Sequence, residues 1–314
     1  MTLLSCVAAT VTGCAGSGRD SAVLEIGVLR GPTAVETIQL TDSLNRCSKA
    51  GIEVKMFDEP LLLRKEMMEG NVDFAFLPMT MAALMYNKGT DYRLVAVPLW
   101  GSLYLCGTDT TITGISGLRG KKVSMMARGM TPDILLRHLL KKNGLEPGID
   151  VTLDYRFPTH LAIASAAMAG KTGLCILSEP FLSQALCTRR DLHILADLGQ
   201  QWSASEGTAL AETAFLCKGE TVDLHSSAIP MIIKAMRRSC EWVKAHSDSA
   251  AALAAAYGIN PDSDAVRASI PRCGFDFVPT CEAESEIKCY LRVFMQDGPE
   301  SIGGKMPDEK FFVK

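Results

Sequence analysis

A chain of 314 residues that is 47% hydrophobic and 21% charged is long enough for two lobes with cores of their own and too apolar to stay disordered. Its formal net charge of -3 and the lack of any basic block argue against a nucleic-acid binder, because neutralising phosphates takes clustered Lys and Arg. No apolar run reaches the roughly 20 residues that a helix needs to span a bilayer.

The chain starts with a short apolar run of small residues, Leu3 to Gly13, that ends in Val11-Thr12-Gly13-Cys14 and leads into the small, polar Ala15-Gly16-Ser17-Gly18. This resembles a bacterial lipoprotein signal with Cys14 as the lipidated residue, so residues 1–21 are expected to be signal and linker. The usual basic start is missing, and an N-terminal tail with an ordinary Cys is the alternative. A lipid on Cys14 would tether the protein to a membrane outside the cytoplasm, in the periplasm or at the cell surface. The eleven cysteines are scattered, with no Cys-x-x-Cys and no His at ligand spacing, so no metal site is expected and most are read as small buried hydrophobes. Cys273, Cys281 and Cys289 leave room for one bridge.

In chain order, a strand, a Pro-marked turn and a helix recur. Leu24–Leu29 reads as a strand running into Arg30-Gly31-Pro32-Thr33, with a helical segment to about Arg46. Ile52–Phe57 is the next strand, and Pro60 opens a helix through Met68. Val72–Leu77 is a third strand, followed by Pro78-Met79-Thr80 and a short helix through Tyr86. Strands at Leu94–Val97 and Leu103–Gly107 flank Pro98-Leu99-Trp100-Gly101, the expected first crossing between lobes.

A strand at Val123–Ala127 then stops at Arg128-Gly129. Beyond it Thr131 is placed to cap a helix whose first position is Pro132, and Leu135, Leu136, Leu139 and Leu140 share one face. The pattern repeats at Val151–Tyr155 with Phe157-Pro158-Thr159 and a helix from His160. It repeats again at Leu174–Leu177 with Ser178-Glu179-Pro180 and a helix through Leu186. The polar stretch Gly199–Gly207 is the expected second crossing, Thr213–Cys217 a returning strand, and the remainder helical: Ser227–Ala245, Ser249–Tyr257 and Ala283–Met295. This alternation predicts parallel sheets covered on both faces by helices.

In such sheets a ligand sits beyond the carboxyl ends of the strands. Five turns there carry a Pro, four of them beside a hydroxyl. Helix N-termini facing one another across a cleft would form a polar cradle for an anion without any catalytic chemistry. Arg128 and Glu179 are the charges to watch, either paired with each other or taking an acidic group and an amine of the ligand. Trp100 at the first crossing is either a stacking surface for a flat ligand or a packed hinge aromatic.

Four segments carry a family resemblance: Gly70-Asn71-Val72-Asp73-Phe74-Ala75, Leu118-Arg119-Gly120-Lys121-Lys122-Val123, Asn143-Gly144-Leu145-Glu146-Pro147-Gly148-Ile149-Asp150-Val151 and Ser178-Glu179-Pro180-Phe181. In this order and spacing, over roughly Leu24 to Tyr257, the chain resembles the substrate-binding proteins of ABC transporters that handle sulfonates, taurine, nitrate and thiamine-pyrimidine precursors. The resemblance implies a two-lobed α/β periplasmic-binding-protein type II fold with two hinge crossings and mostly parallel sheets. Lobe 1 would comprise residues 22–100 and 208–314, and lobe 2 residues 101–207. It further implies a monomeric, non-catalytic protein without a cofactor, delivering a small organic anion or zwitterion to a permease and its ATPase. Gly31, Pro32, Thr33, Met79, Thr80, Trp100, Arg128, Met130, Thr131, Thr159 and Glu179 are the expected ligand-binding residues.

The same fold class also holds enzymes of pyrimidine and menaquinone biosynthesis, which is the alternative reading. The dense cysteine motif of the pyrimidine synthases is absent, and among the five histidines only His160 follows a candidate pocket turn, where a surface or capping role is the simpler reading. The effector domain of a regulator would need a DNA-binding helix pair that this sequence lacks.

Overall fold

The computed structural model describes residues 23–47, 51–226 and 228–314, so the expected signal and Cys14 lie outside the described residues. In chain order come β1 (Leu24–Leu29), α1 (Pro32–Glu36), α2 (Ile38–Asn45), β2 (Ile52–Phe57), α3 (Pro60–Glu69), β3 (Phe74–Pro78), α4 (Met79–Asn87), β4 (Tyr92–Leu99) and β5 (Leu103–Gly107). They are followed by β6 (Lys122–Ser124), α5 (Thr131–Lys142), β7 (Thr152–Asp154), α6 (His160–Met168), β8 (Leu174–Ser178), α7 (Phe181–Thr188), β9 (His193–Asp197) and α8 (Leu198–Glu206). The last part holds β10 (Thr213–Lys218), α9 (Gly219–Leu224), α10 (Ala228–Ala245), α11 (Ser247–Ala256), α12 (Ser263–Ser269), β11 (Phe275–Pro279) and α13 (Glu284–Asp297).

The strands form two sheets, one in the order β11-β4-β10-β3-β1-β2 and one in the order β7-β6-β8-β5-β9. Helix-connected neighbours pair in parallel, as β1 does with β2 and β3, and β6 with β7 and β8. The strands that carry the chain between the sheets run against their neighbours: β10 lies antiparallel between β3 and β4, and β5 antiparallel between β8 and β9. Each sheet is therefore mixed, with most strands pointing one way and helices on its faces. The chain leaves the first sheet between Leu99 and Leu103 and returns between Glu206 and Thr213.

Gly199–Gly207, expected as the second crossing, is instead mostly helix. Asp197 caps α8 by accepting from the Gln200 amide at 3.0 Å, and Gly207 ends it in a left-handed conformation. Its inward face holds Leu198 and Trp202, both fully buried, and that burial outweighs the polar composition that hid the helix. β11 was also unforeseen in a tail read as wholly helical. Its Phe275 and Phe277 face a core while Asp276 points outward, and five residues are too few for that alternation to show.

One apolar core covers one face of each sheet. Met79, Met81 and Met85 of α4 belong to it together with Leu135 and Leu139 of α5, Trp202 of α8 and Tyr290 and Phe294 of α13. Tyr290 stacks on Phe294 with centroids 4.2 Å apart and lies 5.7 Å from Trp202. The C-terminal tail is strapped to the same side: the Asn87 amide donates to the carbonyls of Ile302 and Lys305, and Phe311 is fully buried. None of the nine described cysteines is bridged, including Cys273, Cys281 and Cys289.

Candidate ligand-binding site between the two sheets

The site is built at the carboxyl ends of the parallel strands, where each turn leads into a helix. After β3, Pro78 occupies the N-cap of α4 and leaves the hydroxyl of Thr80 uncommitted to its own helix. After β6, Met130 is the N-cap of α5 and Thr131 its first residue, with no side-chain cap; the expected capping role of Thr131 is not taken. Instead the Thr80 and Thr131 hydroxyls bond each other at 2.9 Å, at 2% and 6% exposure, joining the first turn of a helix on one sheet to that of a helix on the other. The Tyr290 hydroxyl donates to Thr131 Oγ1 at 3.5 Å from beneath.

This contact continues into the two connections. The Met79 amide donates to the Glu212 carbonyl at 3.0 Å, the Ser102 hydroxyl to Glu212 Oε1 at 2.8 Å, and the Glu179 amide to the Ser102 carbonyl at 3.1 Å. Met79, Thr80, Thr131 and Glu179 are thus brought into one continuous set with Ser102, Glu212 and Tyr290, which the sequence reading missed. Glu212 Oε2 is shut off from solvent with no partner. Burial pushes this carboxyl up to about 7, against the hydrogen bonds from Ser102, and the charge of Asp197 adds to the rise. Burial also pushes the Tyr290 phenol far up, and the nearby Glu212 charge contributes, which places the two groups in one electrostatic neighbourhood.

Glu179 is fully buried but already engaged. Its Oε1 accepts from Arg272 Nε at 2.5 Å, and its Oε2 from the amide and hydroxyl of Ser183 at 3.0 and 2.7 Å. The expected pairing of Glu179 with Arg128 is therefore not formed. Arg128 is exposed, lies 5.1 Å over the Tyr155 ring and joins no ion pair among the described residues. Beside it Met130 is 38% exposed.

The other expected residues have local duties. Gly31 is the N-cap of α1 at φ 153, a conformation an L side chain rarely adopts, and Pro32 takes the first position after it. Thr33 is buried and donates to the Leu29 carbonyl at 3.2 Å, while Thr159 caps α6 by accepting from the Ala162 amide at 3.1 Å. Trp100 donates from Nε1 to the Asp276 carbonyl at 2.7 Å and from its amide to Gly274 at 2.8 Å, which makes it a packed aromatic of the first connection. Among the described residues, no hydrogen bond ties Thr33, Thr159, Trp100 or Arg128 to the Thr80–Thr131 set. His160 stacks on Phe181 with centroids 6.1 Å apart, its Nδ1 has no partner, and burial lowers it to about 4, so it stays neutral at neutral pH.

No family model matches the sequence, and no curated protein matches it. Solved structures do. The crystal structure of an ABC transporter protein from Parabacteroides distasonis is 30% identical, with a TM-score of 0.81 over 93% of this chain and 99% of that one. The periplasmic aliphatic sulphonate binding protein SsuA from Escherichia coli is 16% identical, with a TM-score of 0.75 over 93% and 92%. The periplasmic nitrate-binding protein NrtA from Synechocystis PCC 6803 is 15% identical, with a TM-score of 0.57 over 74% and 66%. With two mixed sheets, a contact between them at the strand ends, and this identity over nearly the full length of the first relative, the chain belongs to the substrate-binding proteins of ABC transporters, in the periplasmic-binding-protein type II fold.

Proposed function

We propose that the protein captures a small organic anion or zwitterion between its two sheets and delivers it, without altering it, to the permease and ATPase of an importer. The observation that carries this reading is the Thr80–Thr131 bond. Two helix N-termini from opposite sheets meet there, and parting them would expose two hydroxyls and two sets of backbone N–H groups to one ligand. Arg128, in no ion pair among the described residues, would take the acidic group at the rim. Met130 beside it, with Thr33, Thr159, Trp100 and Glu179 on the surrounding turns, would complete the enclosure. Exposed apolar surface at Met130 favours an organic ligand over a bare inorganic ion, and sulphonate and nitrate relatives agree with an anionic group. We also propose that a lipid on Cys14 holds the protein to the membrane; Cys14→Ala should then shift it into the soluble fraction, and unchanged partitioning rules the anchor out.

The test is a thermal-shift screen of sulfonates, taurine, amino acids and pyrimidines, in which a ligand at 100 times its dissociation constant stabilises the fold by about 2.7 kcal/mol. For the best hit, Thr131→Ala and Arg128→Ala should each weaken binding by about tenfold, one lost charge-assisted or buried hydrogen bond each. If both variants bind as tightly as the parent, the ligand lies elsewhere.

A further inference from the structure

A second concavity lies on the first sheet and shares no residue with the solute site. It is a groove of 760 Å³ beside α10, where β11 pairs with the upper part of β4 and Val313 bonds the Leu94 carbonyl of the lower part. Val95, Ile229, Ile233 and Pro279 line it with apolar surface. The volume falls within the range of about 300–1,000 Å³ usual for small-molecule sites.

The charge around it is one-sided. Lys234, Arg237, Arg238 and Lys314 line the groove against Glu241 alone. Arg237 is engaged by Glu282 at 3.6 Å and by the Phe277 carbonyl, and Lys314 by Glu309 at 3.9 Å. Lys234 and Arg238 are exposed, sit one helical turn apart on α10 and have no carboxylate at ion-pair distance among the described residues. Two unneutralised cations beside a concave apolar floor are complementary to a molecule that is apolar at one end and anionic at the other.

We propose that this groove is a second binding site, for an anionic amphiphile, whose charged head meets Lys234 and Arg238 and whose apolar body lies over Val95, Ile229 and Pro279. The inference does not depend on which solute the main site takes. Cys281 makes it testable, because it lines the groove with an exposed, unbridged thiol, while Cys187 on α7 is also exposed but belongs to the other sheet. Dodecanoate below its micelle concentration should slow maleimide labelling of Cys281 several-fold and leave Cys187 unchanged. Dodecyltrimethylammonium at the same concentrations should protect neither thiol. The double variant Lys234→Glu, Arg238→Glu changes two exposed positions and should shift half-protection to about tenfold higher dodecanoate. Equal protection of both thiols, equal protection by the cationic amphiphile, an unshifted double variant or no protection at all would each overturn the proposal.

Discussion

Glu212 sits in an environment that its neighbours in sequence do not imply. It follows Ala209-Leu210-Ala211, and a single acid beside apolar residues next to a connection was the available signal. Only the folded chain brings Ser102 to one of its oxygens and removes the other from water without giving it a partner among the described residues. An unfolded glutamic acid ionises near about 4.3, whereas the folded one does so at about 7. Between these values the unfolded chain has released the proton while the folded chain holds it, so this group's contribution to stability falls as pH rises and is level outside that window. Glu212→Gln keeps an acceptor for Ser102 and removes the titration. The difference in unfolding free energy between parent and variant, from urea titrations, should therefore move in the variant's favour by about 1–3 kcal/mol from pH 4.5 to pH 8. A difference that stays flat across that range would mean that the carboxyl is not held away from water.

Among the elements, α7 and the segment after α12 hold the two sheets together on one side through Glu179 and Arg272. Arg272→Ala leaves a fully buried carboxylate with only Ser183 to hold it, and should cost about 2–4 kcal/mol, somewhat under a fully buried pair because Arg272 is 30% exposed. Adding Glu179→Gln to Arg272→Met should recover much of that loss, and a double-variant loss equal to the sum of the two single-variant losses would show that the pair is not coupled. On the opposite side α5, α8 and α13 share an ionic cluster: His138 bridges Asp297 and Glu206 at 2.8 Å each, with Lys141 on Asp297 and Lys142 on Glu206. Burial pushes both carboxyls up, but the hydrogen bonds from the lysines and His138 outweigh it and hold both below their ordinary values. This contribution is present above the usual carboxylate range and is lost as acid protonates the pair. Neither cluster was legible, because the partners are far apart in sequence and nothing in a local pattern selects one carboxylate over another.

For the whole molecule, the two connections and the meeting of helix N-termini at Thr80 and Thr131 set the expectation of a closing motion. A ligand that bridges both sheets favours the arrangement in which they are together, so adding a hit from the thermal screen should reduce the radius of gyration in solution scattering. Thr131→Ala should reduce the compaction at equal ligand concentration, since one of the ligand's proposed contacts is lost and binding is weaker. An unchanged radius for parent and ligand complex would argue that the sheets do not move. The C-terminal tail bears on the same motion: its bonds to Asn87 and the burial of Phe311 tie it to α4 and β4, so it moves with the first sheet.

What the sequence determined by itself was the local and periodic part: strands at Leu24–Leu29 and Leu174–Leu177, the helix after Pro132 with its leucine face, and the helix ends at the strand termini where Thr80 and Thr131 lie. These follow from side-chain period and from proline and glycine geometry, which act within a few residues. Tertiary structure alone decided the partners. Thr131 bonds Thr80 rather than its own helix, Glu179 takes Arg272 rather than Arg128, and β10 enters antiparallel between β3 and β4. The physical reason is desolvation: once the sheets pack, each buried hydroxyl, carboxylate and strand edge must find whichever partner the fold has brought within reach, and reach is a property of the folded chain, not of distance along it.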